Sequence, residues 1–304
     1  MVFPQCLTGE RAAAKSFLDS FDTFLLDCDG VLWSGSKTLP GVVETIEYLK
    51  SKGKQVIFVT NNSTKSRSEH KLHFHKMGIL CNQDQIFTSA YSTAIYLSQI
   101  LKLPSRRNKV FVLGERGIEA ELDSLGIPHI GGSDSSFDRV MKPEDFDDIA
   151  SEKTIDKSVG AVVVGMDMNV NYLKLSYAAH YLRRDAVFLA TNTDSTYPTS
   201  GTVFPGAGCI SAALMPMVRL APLSLGKPSH AMIQAIRSRY ELDLERCCMV
   251  GDRLDTDIKL GIDGGLGGTL LVLTGVSQLE DLQAAVPETV PSAYAEKLSD
   301  LCVE

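Results

Sequence analysis

Short apolar runs alternate with longer amphipathic stretches along most of this chain. "TFLLD" (Thr23–Asp27), "QVIFVT" (Gln55–Thr60), "CCMVGD" (Cys247–Asp252) and "GTLLVL" (Gly268–Leu273) are nearly continuous in apolar residues. Runs of that length and texture predict strands buried on both faces. Between the first two lies "GVVETIEYLKSKG", with Val42, Ile46 and Leu49 on one helical face and Gly53 as a stop. After the second comes "STKSRSEHKLHFHKMG", a polar helix that stops at Gly78. Strand, helix, strand in this rhythm predicts a doubly wound α/β fold with a parallel sheet.

The rhythm is interrupted and then restarts. "KLPSRRNK" (Lys102–Lys109) is basic and carries a proline, as a connector does. "KVFVLG", "VGAVVVGMD" and "AVFLATN" then begin a second set of strands. Gly131–Lys153 is polar and acidic, predicts surface loop, and has no EF-hand ligand spacing. "TSGTVFPGAG" (Thr199–Gly208) reads as the second connector, with "GAGCIS" starting a helix that re-enters the core. The expected layout is a core of residues 1–103 and 206–304, interrupted by an inserted α/β domain at 104–205. A chain of 304 residues suits two domains.

Composition narrows the function. With 30 basic and 37 acidic residues the formal net charge is −7, which disfavours a nucleic-acid partner. No stretch approaches eighteen uninterrupted apolar residues, so no membrane span or membrane partner is expected. Seven cysteines without paired spacing point to reduced thiols, and with no basic, apolar leader at the N-terminus the expected location is cytoplasmic.

Ligands of open parallel sheets bind beyond the carboxyl ends of strands. Four polar clusters stand at such ends: Asp27-Cys28-Asp29-Gly30, Thr60-Asn61-Asn62-Ser63, Gly226-Lys227-Pro228 after the short strand "APLSLG", and the segment from Gly251 to Asp257. Each alone is ordinary turn chemistry. Together they gather several carboxylates and one lysine at one end of one sheet. Such a cluster repels itself unless a cation joins it, and Mg²⁺ is the hard, oxygen-preferring choice. A P-loop is ruled out because Ala221 stands where its first glycine belongs and Pro228 replaces Ser or Thr. His70, His73 and His75 lack zinc spacing and read as a solvated helix face.

"DCDGVLW", "VTNNSTKSR", "GKPS" and "GDRLDTDI", in that order, resemble the four motifs of the haloacid dehalogenase superfamily of phosphatases. The insertion between the second and third resembles that family's large C2-type cap. "NTDSTYP…PGAG" and "GGLGGTLLVLTG" look closest to the branch holding 4-nitrophenylphosphatases, phosphoglycolate phosphatases and pyridoxal phosphatases.

The resemblance implies hydrolysis of small phosphomonoesters through a phosphoaspartate. Asp27 is then the nucleophile and Asp29 the general acid and base. Mg²⁺ is held by Asp27, Asp252 and the backbone carbonyl of Asp29, and Asp257 orients metal-bound water. Lys227, Thr60, Asn61 and Asn62 grip the phosphoryl group, and Tyr197 faces the leaving group. 4-Nitrophenyl phosphate is the expected substrate in vitro, and 2-phosphoglycolate or a similar side product in the cell. Pyridoxal phosphate and phosphotyrosine are alternatives, although pyridoxal phosphatases carry a histidine where Tyr197 stands. A phosphotransferase or a non-catalytic binding protein on the same scaffold is less expected. Similar enzymes pair through the cap, so a homodimer is expected.

Overall fold

The computed structural model describes residues 3–199 and 202–303. It divides into two compact units. The first comprises residues 1–60, 68–87 and 227–304, and the second residues 61–67 and 88–226.

Twelve strands make the two main sheets. In chain order they are β1 (Gln5–Cys6), β2 (Thr23–Leu26), β3 (Gln55–Thr60), β4 (Ile86–Thr88), β5 (Lys109–Leu113), β6 (His129–Gly131), β7 (Val159–Val164), β8 (Val187–Ala190), β9 (Leu223–Ser224), β10 (Cys247–Gly251), β11 (Gly268–Val272) and β12 (Ala293–Ala295). The first unit is built on a seven-stranded sheet in the order β1-β12-β11-β10-β2-β3-β4. The pairs from β1/β12 through β2/β3 are all parallel. Every residue of β2, β10 and β11 is buried, as expected of strands covered on both faces. Phe24, Leu26, Phe58, Phe74, Val250 and Leu270 form the heart of the core. Helix Val42–Ser51 stops before Gly53 and helix Arg67–Lys76 before Gly78, and both glycines have positive φ (+74° and +81°).

The inserted unit has its own parallel sheet, β9-β8-β7-β5-β6. Helix Tyr172–Leu182 covers it with Leu173, Tyr177 and Tyr181, packed against Phe111 and Val162.

Five expectations need correction. The units part near residues 88 and 226, not at 104 and 206. Helix Ser89–Ile95 is wholly buried and packs on helix Arg116–Ser124, which draws the segment before the basic connector into the insertion. Helix Ala207–Val218 lies against the inserted core through Ile210, Leu214 and Val218 and does not re-enter the first unit. The "APLSLG" strand, β9, pairs with β8 at Leu223/Leu189 and Ser224/Ala190, so it belongs to the inserted sheet. The acidic tract Gly131–Lys153 contains helix Pro143–Ala150. Proline opens that helix, and Asp145 caps it from N3 while pairing with Arg139 at 2.7 Å. His70 is 4% exposed, so the three histidines do not share a solvated face. Among the described residues no helix is long and apolar enough to cross a membrane.

Candidate active site

β10, β2 and β3 are adjacent and parallel, with Val250 beside Leu26 and Leu26 beside Phe58. Their carboxyl ends therefore fall together. Asp27 follows β2 directly, and its N–H donates to Val250 O at 2.9 Å. Asp252 follows β10, and Asp257 lies in the short helical turn Leu254–Ile258 just beyond. Oxygens of Asp27, Asp252 and Asp257 lie within 4.8 Å of one another, and all three residues are buried.

Lys227 completes this group. Its ammonium is buried and donates to Asp27 Oδ1, pairs with Asp257 Oδ1 at 2.8 Å, and donates to Val59 O at 3.2 Å. Val59 is the residue before Thr60 in β3, so the lysine reaches the strand end that carries Thr60. Burial alone lowers the Lys227 pKa, but Asp257 and Asp27 more than offset it and hold the ammonium charged.

The carboxyls respond the other way. Burial raises Asp27, against the pull of Lys227. Burial and the neighbouring acids Asp257 and Asp27 push Asp252 up to about 8. Asp257 is pushed to about 6, again mainly by burial, with Lys227 opposing.

Asp252 is held by a loop that follows β11. Val276 N–H donates to its Oδ2 at 2.7 Å, and Ser277 N–H donates to its backbone oxygen at 2.9 Å. Gly275 permits this approach, because a Cβ there would sit 2.6 Å from Asp252 Cβ. Gly30, at φ +83°, is equally necessary: its Cβ would meet the Asp252 carboxyl carbon at 2.6 Å. Thr274, Gly275 and Val276 were not singled out from the sequence. The signal was available, since "LTGVS" is another small, polar segment just past a buried strand.

Asp29 does not join the three buried carboxylates. Its side chain is exposed and accepts a hydrogen bond from Trp33 Nε1 at 3.0 Å. Cys28 is buried in the core, and burial keeps its thiol protonated. Asp255 is exposed and pairs with Arg253 at 2.9 Å.

Asn61, Asn62 and Tyr197 belong to the inserted unit. Asn61 Nδ2 donates to both Asp194 oxygens at 3.1 Å, while Asn61 O accepts from Ser89 and Asn192. Asn62 Oδ1 accepts from Thr64 N–H and hydroxyl, a local turn. Arg67 pairs with buried Glu121 at 2.9 Å and lies over the Tyr91 ring. Tyr197 is half-buried in the ribbon Thr196–Thr199/Thr202–Pro205, across from Phe204.

The first unit's buried cluster fits a divalent cation. Asp252 Oδ1 is buried and has no hydrogen-bond partner among the described residues, and an orphaned carboxylate oxygen in such a place is costly. All donors are oxygens, which suits a hard ion.

Comparison with known proteins agrees with this geometry. Residues 24–128 match a family described as haloacid dehalogenase-like hydrolase, and residues 224–301 match a related hydrolase family. A 4-nitrophenylphosphatase of Schizosaccharomyces pombe is 50% identical over 288 residues, covering 94% of this chain and 95% of that protein. Phosphoglycolate phosphatase 2 of Arabidopsis thaliana is 41% identical, covering 98% and 97%. A solved glycerol phosphate phosphatase from Mycobacterium tuberculosis, in complex with magnesium, superposes with a TM-score of 0.77 at 29% identity, covering 93% and 77%. The chain belongs to the haloacid dehalogenase-like hydrolases. Within that family its relatives place it among the phosphatases.

The raised acids set a pH dependence. A carboxyl whose folded pKa lies above its unfolded value near 3.8 costs stability as pH rises from that value through the folded pKa. For Asp257 and Asp252 the window runs from about 4 to about 6 and about 8. A cation that takes these carboxylates in ionised form relieves the loss. The melting-temperature gain on adding Mg²⁺ should therefore be larger at pH 8 than at pH 6, as thermal scans with and without EDTA will show. An equal or smaller gain at pH 8 contradicts the placement of the ion among these acids.

Proposed function

We propose that the protein hydrolyses small phosphomonoesters through a phosphoaspartate on Asp27, with Mg²⁺ held by Asp27, Asp252 and the backbone carbonyl of Asp29. The observation that carries this reading is the meeting of Asp27, Lys227, Asp252 and Asp257 at the carboxyl ends of adjacent parallel strands. It is supported by the sequence likeness to phosphatases along nearly the whole chain.

Asp27 attacks phosphorus in line. A bond forms from its carboxylate oxygen to phosphorus as the ester P–O bond breaks. Asp29 gives its proton to the departing oxygen. Water then attacks the phosphoaspartate, Asp29 takes the proton back, and Asp27 is freed with inorganic phosphate. The cation, when bound, offsets negative charge on the carboxylates and the phosphoryl group, so that an anionic nucleophile can approach an anionic ester. Lys227 supplies fixed positive charge beside Asp27, and Asp257 holds Lys227 and would orient water on a bound ion. The Thr60 hydroxyl and the Asn61 backbone N–H offer donors to the phosphoryl oxygens, and Asn62 shapes the turn that follows them. Tyr197 is assigned to the leaving group.

Small substrates fit this reading: 4-nitrophenyl phosphate in vitro, and 2-phosphoglycolate or a glycerol phosphate as physiological candidates. The seven free cysteines suit a cytoplasmic enzyme. Two copies pairing through the inserted unit belong to the same reading. Phe146 and Tyr172 stand 55% and 65% exposed on that unit with rings 6.5 Å apart, and an aromatic pair in water favours a cover.

Four outcomes are expected. Asp27→Asn should remove turnover of 4-nitrophenyl phosphate and 2-phosphoglycolate alike in a kcat/KM panel; retained activity would falsify the nucleophile assignment. Asp29→Asn should lower kcat by about 10²–10⁴ for alkyl phosphates, and far less for 4-nitrophenyl phosphate, whose leaving group needs no proton. Trp33→Phe should shift the same ratio in the same direction by a smaller factor, since it frees the Asp29 carboxyl; equal losses on both substrates would remove Asp29 from the acid role. Light scattering should give twice the 33.1 kDa chain mass, falling toward one chain in Phe146→Glu/Tyr172→Glu. A monomeric wild type ends the pairing proposal.

A further inference from the structure

The first unit carries a second polar cavity at the amino end of its sheet. A cleft of about 630 Å³ is floored by Gln55, Val56 and Ile57 at the start of β3. That volume is of the size that holds small ligands. Thr60 ends the same strand, three residues beyond Ile57, so about 10 Å of strand separates the cleft from the strand end that borders the acidic cluster.

Its lining is cationic. Lys50, Lys54, Lys71 and His75 contribute side chains, and no Asp or Glu lines it. This is unusual in a chain of net charge −7. The lysines keep donors in hand. Lys50 Nζ gives two hydrogen bonds, to Leu80 O at 2.7 Å and to Glu47 Oε1 at 3.4 Å, and so keeps one N–H in hand. Lys54 Nζ donates to Phe21 O at 2.6 Å, with Asp22 at 3.8 Å. An ammonium has three N–H groups, so each retains capacity for an anion. Cys81 stands in the same wall, where burial pushes its thiol to about 11 against the pull of Lys50 and Lys71.

Other groups suit the remainder of a ligand. Leu80 and Tyr240 give an apolar edge, and the side-chain amides of Asn82 and Gln85 add polar contacts. Gln85 is itself fixed, donating to Val56 O at 3.2 Å and accepting from Asn82 N–H at 3.0 Å. His75 is oriented by its Nε2 contact with Cys81 O at 3.2 Å.

We infer that this cleft is a second anion site that binds a small organic phosphate, with Lys50, Lys54 and Lys71 around the phosphoryl group and Tyr240 and Leu80 against the carbon skeleton. The site is separate from the acidic cluster and does not depend on turnover there.

The test uses the full chain with Mg²⁺ and amide-resolved NMR. Inorganic phosphate and benzylphosphonate, which no phosphomonoesterase cleaves, are titrated at constant ionic strength. The backbone amides of Asn82 and Gln85 should shift saturably, on a binding curve distinct from that of amides near Thr60. Benzylphosphonate should bind the cleft more tightly than phosphate. Lys71→Gln should weaken cleft binding by about fivefold, the scale of one exposed ion pair, while kcat on 4-nitrophenyl phosphate stays unchanged. The proposal is overturned if the Asn82 and Gln85 amides do not saturate, if sodium chloride produces the same shifts, or if Lys71→Gln leaves the curve in place. Equal affinity for phosphate and benzylphosphonate overturns the organic part of the assignment. Because the readout is a chemical shift, failure here is distinguishable from failure of the catalytic reading.

Discussion

One buried ammonium organises the acidic centre of this protein. Lys227 touches both Asp27 and Asp257, and each of the three side chains is at most a tenth exposed. Removing either kind of partner would strand charge in a low-dielectric place, which costs several kcal/mol. Yet the pairing is incomplete. Three carboxylates face one ammonium, so the fully ionised cluster carries two excess negative charges. Asp252 bears the deficit: among the described residues it makes no ion pair, one of its oxygens has no hydrogen bond, and its pKa climbs to about 8. A divalent ion closes this imbalance in charge as well as in ligand count, which a proton on Asp252 does only in part.

The surrounding backbone is shaped by that requirement. Asp252 can stand beside Asp27 only because no side chain occupies positions 30 and 275. Gly30 turns the chain after the first acidic pair, and the Thr274 hydroxyl ties its carbonyl at 2.5 Å to the loop after β11. Hydrogen bonds from Val276 and Ser277 then hold Asp252 from its far side. Segments from residues 27–30, 227, 252–257 and 274–277 are thus locked to one another, although they are far apart in the chain. Lys227 itself comes from a non-strand segment just before helix His230–Arg239, whose Ser229 cap accepts from Ala231 N–H at 3.2 Å.

Much of this was legible in the residues. Four of the seven strands in the first sheet follow their apolar runs to within one residue, because a strand buried on both faces leaves little choice of side chain; β1, β4 and β12 are too short to show in the pattern. The acids at their ends stand out for the same reason. What escaped was information carried by partners. Whether "APLSLG" joins the first or the inserted sheet depends on pairing with Leu189 and Ala190, and nothing in its own composition says so. Helix Ser89–Ile95 is small-residue and buried, yet the basic, proline-bearing stretch after it marks a stronger visible boundary. His70 reads as polar surface because its burial depends on neighbours distant in sequence. Gly275 reads as one glycine among 24 until Asp252 is placed against it.

The two units divide the chemical problem unevenly. Every side chain of the charged centre comes from the first unit, so the capacity to hold a cation beside Asp27 is a property of that sheet alone. The segment 61–67 continues directly from β3 but packs with the inserted unit. There Asn61 is fixed by Asp194, Ser89 and Asn192, and Arg67 by Glu121 and Tyr91. Asp194 lies three residues from Tyr197, in the stretch assigned to the leaving group. A change in that stretch therefore acts on the orientation of Asn61 through a hydrogen bond within the inserted unit. The ion pairs of the charged centre lie within the first unit, and the hydrogen bonds that fix Asn61 lie within the inserted one, so the two sets are held by separate cores.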